Sequence, residues 1–104
     1  MPNIFENIPS YLPEELFETL LQKNGITIER ILSEGHHTPE QEWYDQAWDE
    51  WVLLLSGQAT LRFTDQPDLT LKPGDYLFIP AHQRHQVCQS APELKTVWLA
   101  IHLR

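Results

Sequence analysis

Short apolar segments between closely spaced turn residues limit the fold of this chain more than any other feature of its sequence. After Gly25, β-branched and aromatic residues recur in runs such as Ala59 to Thr64, where apolar and polar residues alternate as in half-buried strands. Pro73-Gly74 has the residues of a type II turn, because proline presets a negative φ and glycine accepts a positive one. Many strands with a turn every ~8–12 residues predict an all-β sandwich or barrel.

One segment before Gly25 differs from this pattern and predicts a helix. Pro13 suits the first helical position, the two acids after it suit the helix dipole, and Asn24-Gly25 suits the end of a helix. The apolar residues of the segment recur at helical spacing: Leu16, Phe17, Leu20 and Leu21. We therefore expect a helix over about residues 13–23, in an N-terminal arm (1–25) that packs on a barrel (26–104).

Composition narrows the class of protein. The 104 residues are typical of a single domain, and a formal charge of −8 disfavours nucleic acid or anionic membrane as a partner. No apolar run approaches the ~20 residues of a membrane-spanning helix, and the first residues lack the pattern of a secretory signal. Cys88 is the single cysteine, which excludes an intrachain disulfide and suits a reducing compartment. We expect a cytoplasmic protein that binds neither nucleic acid nor membrane.

Two segments resemble the motifs of the cupin superfamily. From Gly74, five residues lead to Pro80, and a histidine, His85, follows five positions later, as in the second cupin motif. Glu50, six residues and Gly57 match the end of the first motif. The resemblance implies an all-β cupin jelly-roll barrel, here with one short N-terminal helix.

The same resemblance implies a metal site, but two of its usual ligands are missing. Cupins commonly hold a metal with three histidines and a glutamate, of which Glu50 and His85 are present. The places of the family's His-x-His pair hold Tyr44 and Gln46 with the shorter spacing, or Trp43 and Asp45 with the longer.

The remaining residues still suggest a mixed nitrogen and oxygen site. Its expected ligands are Gln46, Glu50 and His85, completed by Tyr44, His82 or water. Such a set suits a divalent ion of iron, manganese, nickel or zinc and leaves positions open for a substrate.

Three functions follow from these observations. The resemblance implies a metal-dependent isomerase, epimerase, lyase or dioxygenase acting on a small polar molecule, with Tyr44 or His82 moving a proton. The alternative is a metal-poor cupin that binds or senses a small ligand without turnover. A third is an interaction protein that presents a tryptophan-rich edge.

Residues 40–51 contain three of the four tryptophans and five acids, with no lysine or arginine. This segment is consistent with the mouth of a pocket, in which Trp43, Asp45 and Trp48 contact a ligand, and equally with an interface. Its charge favours a metal ion, a neutral sugar or a cationic small molecule over a sugar phosphate. A homodimer is expected because a small barrel has a limited core and open sheet edges.

The other histidines receive structural interpretations. His36 and His37 are adjacent and are expected in a loop. His102 lies opposite Val97, Leu99 and Ile101 in the alternation of the last strand and is expected to be exposed or at an interface.

Overall fold

The computed structural model of the chain describes residues 1–90, 92 and 94–104. Eight strands follow one another: β1 (Leu16–Lys23), β2 (Ile26–Ser33), β3 (Asp49–Ser56), β4 (Ala59–Phe63), β5 (Leu69–Leu71), β6 (Tyr76–Ile79), β7 (His85–Ser90) and β8 (Thr96–Leu103). They form a five-stranded sheet in the order β1-β2-β8-β3-β6 and a three-stranded sheet in the order β5-β4-β7. All pairings are antiparallel. Over the described residues, no helix is long and apolar enough to cross a membrane.

The hydrophobic core lies between the two sheets. Along β3 and β4, every second side chain points inward, so that Val52 and Leu54 face Leu61 and Phe63. The other members of this core come from strands of both sheets: Ala59, Leu71, Ile79, Trp98 and Ala100. This packing confirms the all-β prediction, in the form of two antiparallel sheets.

The helix predicted over 13–23 is wrong, because the described residues there form β1 instead. β1 pairs with β2, and Asn24 and Gly25 connect the two strands with φ values of 49° and 81°. Two consecutive positive φ values are typical of a type I′ hairpin turn, for which Asn-Gly is the preferred sequence. The dipeptide interpreted as the end of a helix is the turn of a hairpin.

An irregularity in β1 explains why its apolar residues mimic a helix. The register with β2 shifts between Thr19 and Leu21, so that the alternation of inward and outward side chains restarts at that point. Phe17 pairs with Ile31, which faces the core, whereas Leu21 pairs with Ile28 on the outer face. A strand with a bulge does not show the strict period of two that identifies strands in a sequence.

Residues 1–12, here called the arm, cover one end of the outer face of the five-stranded sheet. Leu12 packs on Leu32 and Val97 in a second apolar cluster. Arg30 donates hydrogen bonds to the carbonyl oxygens of Ile4 at 2.9 Å and Glu6 at 2.6 Å. Its guanidinium also pairs with Glu18 at 2.7 Å. These contacts bury Arg30 and fix the arm against β2.

Next to the arm, a row of apolar side chains crosses the outer face of all five strands. The cross-strand partners in this row, here called the outer row, are Leu21, Ile28, Ile101, Trp51 and Phe78. Leu21 and Phe78, at its two ends, are each 51 % exposed. The arm does not cover the outer row.

The β1–β2 turn makes a specific prediction for Gly25. A Cβ atom at this position would lie 2.6 Å from the carbonyl oxygen of Arg104, whose amide donates a 2.7 Å hydrogen bond to Gly25. Gly25→Ala therefore combines the strain of a positive φ with a steric clash, and we expect a loss of about 2–3 kcal/mol in the free energy of unfolding. Gly74→Ala is the matched control, since φ is +95° there and no atom lies within 4 Å of its Cβ. It should lose only about 1 kcal/mol in urea unfolding; equal losses would contradict the close approach of Arg104.

Candidate functional site

A cavity of about 140 Å³ lies between the two sheets. Half of its lining is apolar: Phe17, Ile31, Val52, Leu61, Ile79, Val87 and Trp98. The other half can form hydrogen bonds: Glu15, Glu29, Tyr44, Gln46, Glu50, His85 and His102. The structure therefore brings together four of the residues predicted from the sequence, namely Tyr44, Gln46, Glu50 and His85.

Glu50 is the most buried carboxyl in the cavity, with 6 % of its surface exposed. It lies on the inner face of β3, opposite His102 on β8 and Ile79 on β6. Burial raises the pKa of Glu50, and the nearby charge of Glu29 raises it further, whereas His102, His85 and a hydrogen bond from Gln46 oppose the shift. Its carboxyl group is therefore a weaker acid than that of an exposed glutamate.

A backbone contact selects the tautomer of the neutral His85 ring. Its Nδ1 lies 2.9 Å from the carbonyl oxygen of Gln83, which can only accept, so Nδ1 carries the proton and Nε2 the lone pair of the neutral ring. Tyr44 stacks on this ring, with 5.4 Å between the centroids, and the backbones of Tyr44 and His85 are joined by two hydrogen bonds. The loop before β3 therefore forms a wall of the cavity against β7.

His102 has the opposite tautomer. The indole N–H of Trp48 donates to Nδ1 at 2.8 Å, so Nε2 carries the proton and donates to Glu29 at 2.7 Å. The chain Trp48–His102–Glu29 thus fixes a neutral imidazole and holds one oxygen of the Glu29 carboxylate.

The expectation that His102 is exposed or at an interface is wrong. His102 is buried and lines the cavity, because Trp98, Ala100 and His102 form the inner face of β8. Leu99 and Ile101, taken as the inner face from the sequence, point outward. β8 is apolar on both faces, so its alternation alone does not reveal which face is inside.

The remaining predicted residues lie outside the cavity lining. His82 has a φ of 64° and is exposed, with Nδ1 2.9 Å from Asp45. Trp43 packs under the guanidinium of Arg84, 5.7 Å from its ring centroid. Trp48 reaches the site only through His102, and its ring lies 4.0 Å from the guanidinium of Arg104. The sequence-based roles of His82, Asp45 and Trp43 gain no support from this geometry.

Sequence reasoning also missed two carboxyl groups. Glu29 is on the inner face of β2. Glu15 lies just before β1, and burial raises the pKa of the Glu15 carboxyl. Glu29 shares the alternation of β2 with Thr27, between Ile26 and Ile28, so the sequence pattern places it on the polar face and gives no signal that it points inward. Glu15 was assigned to the predicted helix and could not be placed. His36 and His37 lie, as expected, in the connection between β2 and β3.

The donors in the cavity only partly fit the metal site that the resemblance implies. Glu50 and His85 Nε2 are conventional ligands and the Gln46 side chain is a third donor, whereas both nitrogens of His102 are engaged. Within the part of the chain that the structure describes, no three His, Cys, Asp or Glu side chains are arranged to hold an ion. This set fits a weakly held ion with several water ligands and does not fit a tightly held one.

The burial of Glu50 predicts a gain in stability when its charge is removed. Because the pKa of Glu50 is raised in the folded state, ionisation opposes folding as the pH rises from about 4.5 through the folded-state pKa. Glu50→Gln should therefore increase the free energy of unfolding at pH 7.5, because the variant has no charge to bury. The gain should disappear near pH 4, where both states are protonated. Glu14→Gln, an exposed change of equal charge, should alter stability little; equal effects of the two variants would contradict the buried carboxyl.

Comparison with known proteins agrees with this architecture. The cupin domain family matches residues 30–102. A crystal structure from Ralstonia eutropha JMP134, named a putative mannose-6-phosphate isomerase, is 40 % identical with a TM-score of 0.95, over 99 % of this chain and 96 % of that one. A cupin superfamily protein from Desulfitobacterium hafniense DCB-2 is 26 % identical with a TM-score of 0.75, over 92 % and 83 % of the two chains.

More distant matches support the fold alone. A conserved Streptococcus pyogenes protein of unknown function is 20 % identical with a TM-score of 0.77, over 100 % of this chain and 86 % of that one. A search of curated protein sequences finds no match.

Proposed function

Because the chain belongs to the cupin family, whose domain covers residues 30–102, we propose that it binds a small polar molecule in the cavity between its sheets, with Glu50 as the main hydrogen-bonding partner. The burial of Glu50 carries this proposal. A carboxyl that is 6 % exposed and faces a cavity is costly for the fold, and such groups are concentrated at functional sites. A ligand that donates to Glu50 would offset that cost.

The charge of the cavity favours a ligand without phosphate. Three glutamates line the cavity, and none of its described lining residues is a lysine or arginine. Phosphate sites use such cations or clusters of backbone N–H groups, so a phosphate beside three carboxyl groups would be repelled. The name of the Ralstonia eutropha protein includes a sugar phosphate, and for this chain we propose the phosphate-free class instead.

Two groups in the cavity could move a proton on such a ligand. Because its pKa is raised, the Glu50 carboxylate is a stronger base than an exposed one, and it could take a proton from one atom of the ligand and return it to the next. His85 Nε2 is a second acceptor. Proton transfer between neighbouring atoms of one molecule is the chemistry of an isomerase. Binding without turnover would use the same contacts, and incorporation of solvent deuterium into the ligand would distinguish the two.

A divalent metal ion is the second candidate occupant. The observation that favours it is the Nδ1–H contact of His85 with the Gln83 carbonyl, since metal-bound histidines commonly donate their other nitrogen in this way. Gln46, Glu50 and His85 would hold the ion, with water completing its shell. An iron, manganese, nickel or zinc ion there would polarise a ligand oxygen.

Thermal shift measurements with a panel of small compounds test the proposed function. The panel contains neutral polyols and sugars, small amines, small carboxylates and mannose 6-phosphate. We expect at least one phosphate-free compound to raise Tm by several degrees at millimolar concentration, and Glu50→Gln to abolish the shift. Glu14→Gln should preserve it. A shift with mannose 6-phosphate, or shifts that never depend on Glu50, would overturn the proposal.

The metal candidate is measured on the same variants. Protein purified without chelator should contain less than one equivalent of metal, in line with the incomplete donor set. One tightly held equivalent that is lost in His85→Ala and kept in His37→Ala, an exposed histidine, would favour the metal-dependent function instead.

We also propose that a second copy of the chain covers the outer row. Two features favour an identical partner. The adjacent row of the sheet carries Glu18 and Arg30, which neutralise each other, so two chains of charge −8 can approach there without a cluster of like charges. The outer row itself contributes Trp51 and Phe78, residue types enriched in interfaces. Trp48 belongs to the tryptophan-rich segment that the sequence equally suggests as an interface, but its ring is engaged with His102 and Arg104.

The solution mass tests this interface. We expect light scattering to give twice the 12.2 kDa of one chain for the wild type. Phe78→Ser should give the mass of one chain, because it removes a large apolar side chain from the contact and puts a hydroxyl in its place. Leu94→Ser, which changes a 60 % exposed leucine in the β7–β8 connection, should remain a dimer. A monomeric wild type would exclude the interface.

A further inference from the structure

The geometry points to a ligand that carries a positive charge, an inference that rests on the proposed function. The ligand is a small organic ammonium ion. Its apolar body fills the cavity and its charged group lies between Glu29 and Glu50. This assignment goes beyond the phosphate-free class, since it separates a cation from a neutral sugar. Three properties of the cavity support it.

The first property is its charge. The lining contains Glu15, Glu29 and Glu50, and its described residues include no lysine or arginine to balance them. His102 does not balance them either, because a ring that accepts a hydrogen bond from Trp48 is neutral. A cation in this low-dielectric space would supply the missing charge, and the attraction is much stronger there than in water.

The second property is the fixed orientation of Glu29. His102 donates to Oε1 of Glu29 at 2.7 Å, and Trp48 prevents His102 from exchanging its protonated nitrogen. Among the described residues, Oε2 of Glu29 has no hydrogen-bond partner, and the residue lines the cavity. Trp48 and His102 are therefore positioning residues that hold a carboxylate ready for a donor.

The third property is the apolar half of the lining. Seven apolar side chains contribute to the wall, so a sugar, which has hydroxyl groups on most of its carbons, would leave several of them unpaired. An amphipathic ammonium places its apolar body there and its N–H groups on the carboxylates. The rings of Phe17, Tyr44 and Trp98 add faces that attract cations. A cavity of roughly 150 Å³ accommodates benzene, so about 140 Å³ suits a single six-membered ring.

Calorimetry with three probes of one shape tests the inference: cyclohexylamine, cyclohexanol and cyclohexanecarboxylate. We expect the amine to bind at least tenfold more tightly than the alcohol, and the carboxylate not to bind. Glu29→Gln and Glu50→Gln should each weaken amine binding about tenfold or more. Asp65→Asn, which removes the same charge from an exposed turn, should leave it unchanged.

The positioning role of Trp48 has a spectroscopic readout. Nitrogen-15 NMR of the wild type should show His102 protonated on Nε2 and His85 protonated on Nδ1. In Trp48→Phe, which keeps a ring against Arg104, His102 should lose its single tautomer, and amine affinity should fall while alcohol affinity stays the same. A His102 protonated on Nδ1 in the wild type would overturn this role.

The probes also separate this inference from the proposed function. If the alcohol binds as well as the amine and both depend on Glu50, the proposed function stands and the cation is excluded. If the carboxylate binds instead and its binding does not depend on Glu50, both fail. If the amine does not bind while another neutral compound shows Glu50-dependent binding, the cation alone is excluded.

Discussion

The burial of one carboxyl group on a central strand is the constraint on which the rest of the site depends. β3 pairs with β8 on one side and β6 on the other, so Glu50 cannot move without shifting the whole sheet. A shift of one residue in the register of β3 would place Trp51 on the inner face and Glu50 on the outer face. The same register places His102 of β8 and Ile79 of β6 directly across from Glu50 on the two neighbouring strands.

The sequence predicts those parts of the site that depend on neighbouring residues in the chain, and it fails where contacts between distant residues decide. Glu50 and His85 were found because motif spacing and the turn after Pro80 are local features, and the fold follows from the alternation of the strands. His102 was missed because the arm covers the outer face of β8 near Val97, so both faces of that strand are apolar. The hairpin of β1 and β2 was missed because a bulge after Thr19 restarts the alternation. Both failures arise where a tertiary contact changes a local pattern.

The missing His-x-His pair is replaced by groups that suit packing and hydrogen bonding. Tyr44 stacks on the remaining histidine, with 5.4 Å between ring centroids, and Gln46 donates to Glu50. A tyrosine ring and an amide thus occupy the places of two family ligands beside the two that remain, Glu50 and His85. The family architecture is retained while the donor set at its centre differs, and a site can change in this way without a change of fold.

The two cavity histidines determine what a ligand must offer. Gln83 keeps the proton of His85 on Nδ1, and Trp48 keeps that of His102 on Nε2, where Glu29 already receives it. Both ring protons are therefore used by the protein, and the cavity is left mainly with acceptors: His85 Nε2, Glu29 Oε2 and Glu50. A phosphate or carboxylate brings only more acceptors, whereas an ammonium group brings three donors. The hydrogen-bond balance thus leads, independently of charge, to a ligand rich in N–H or O–H groups.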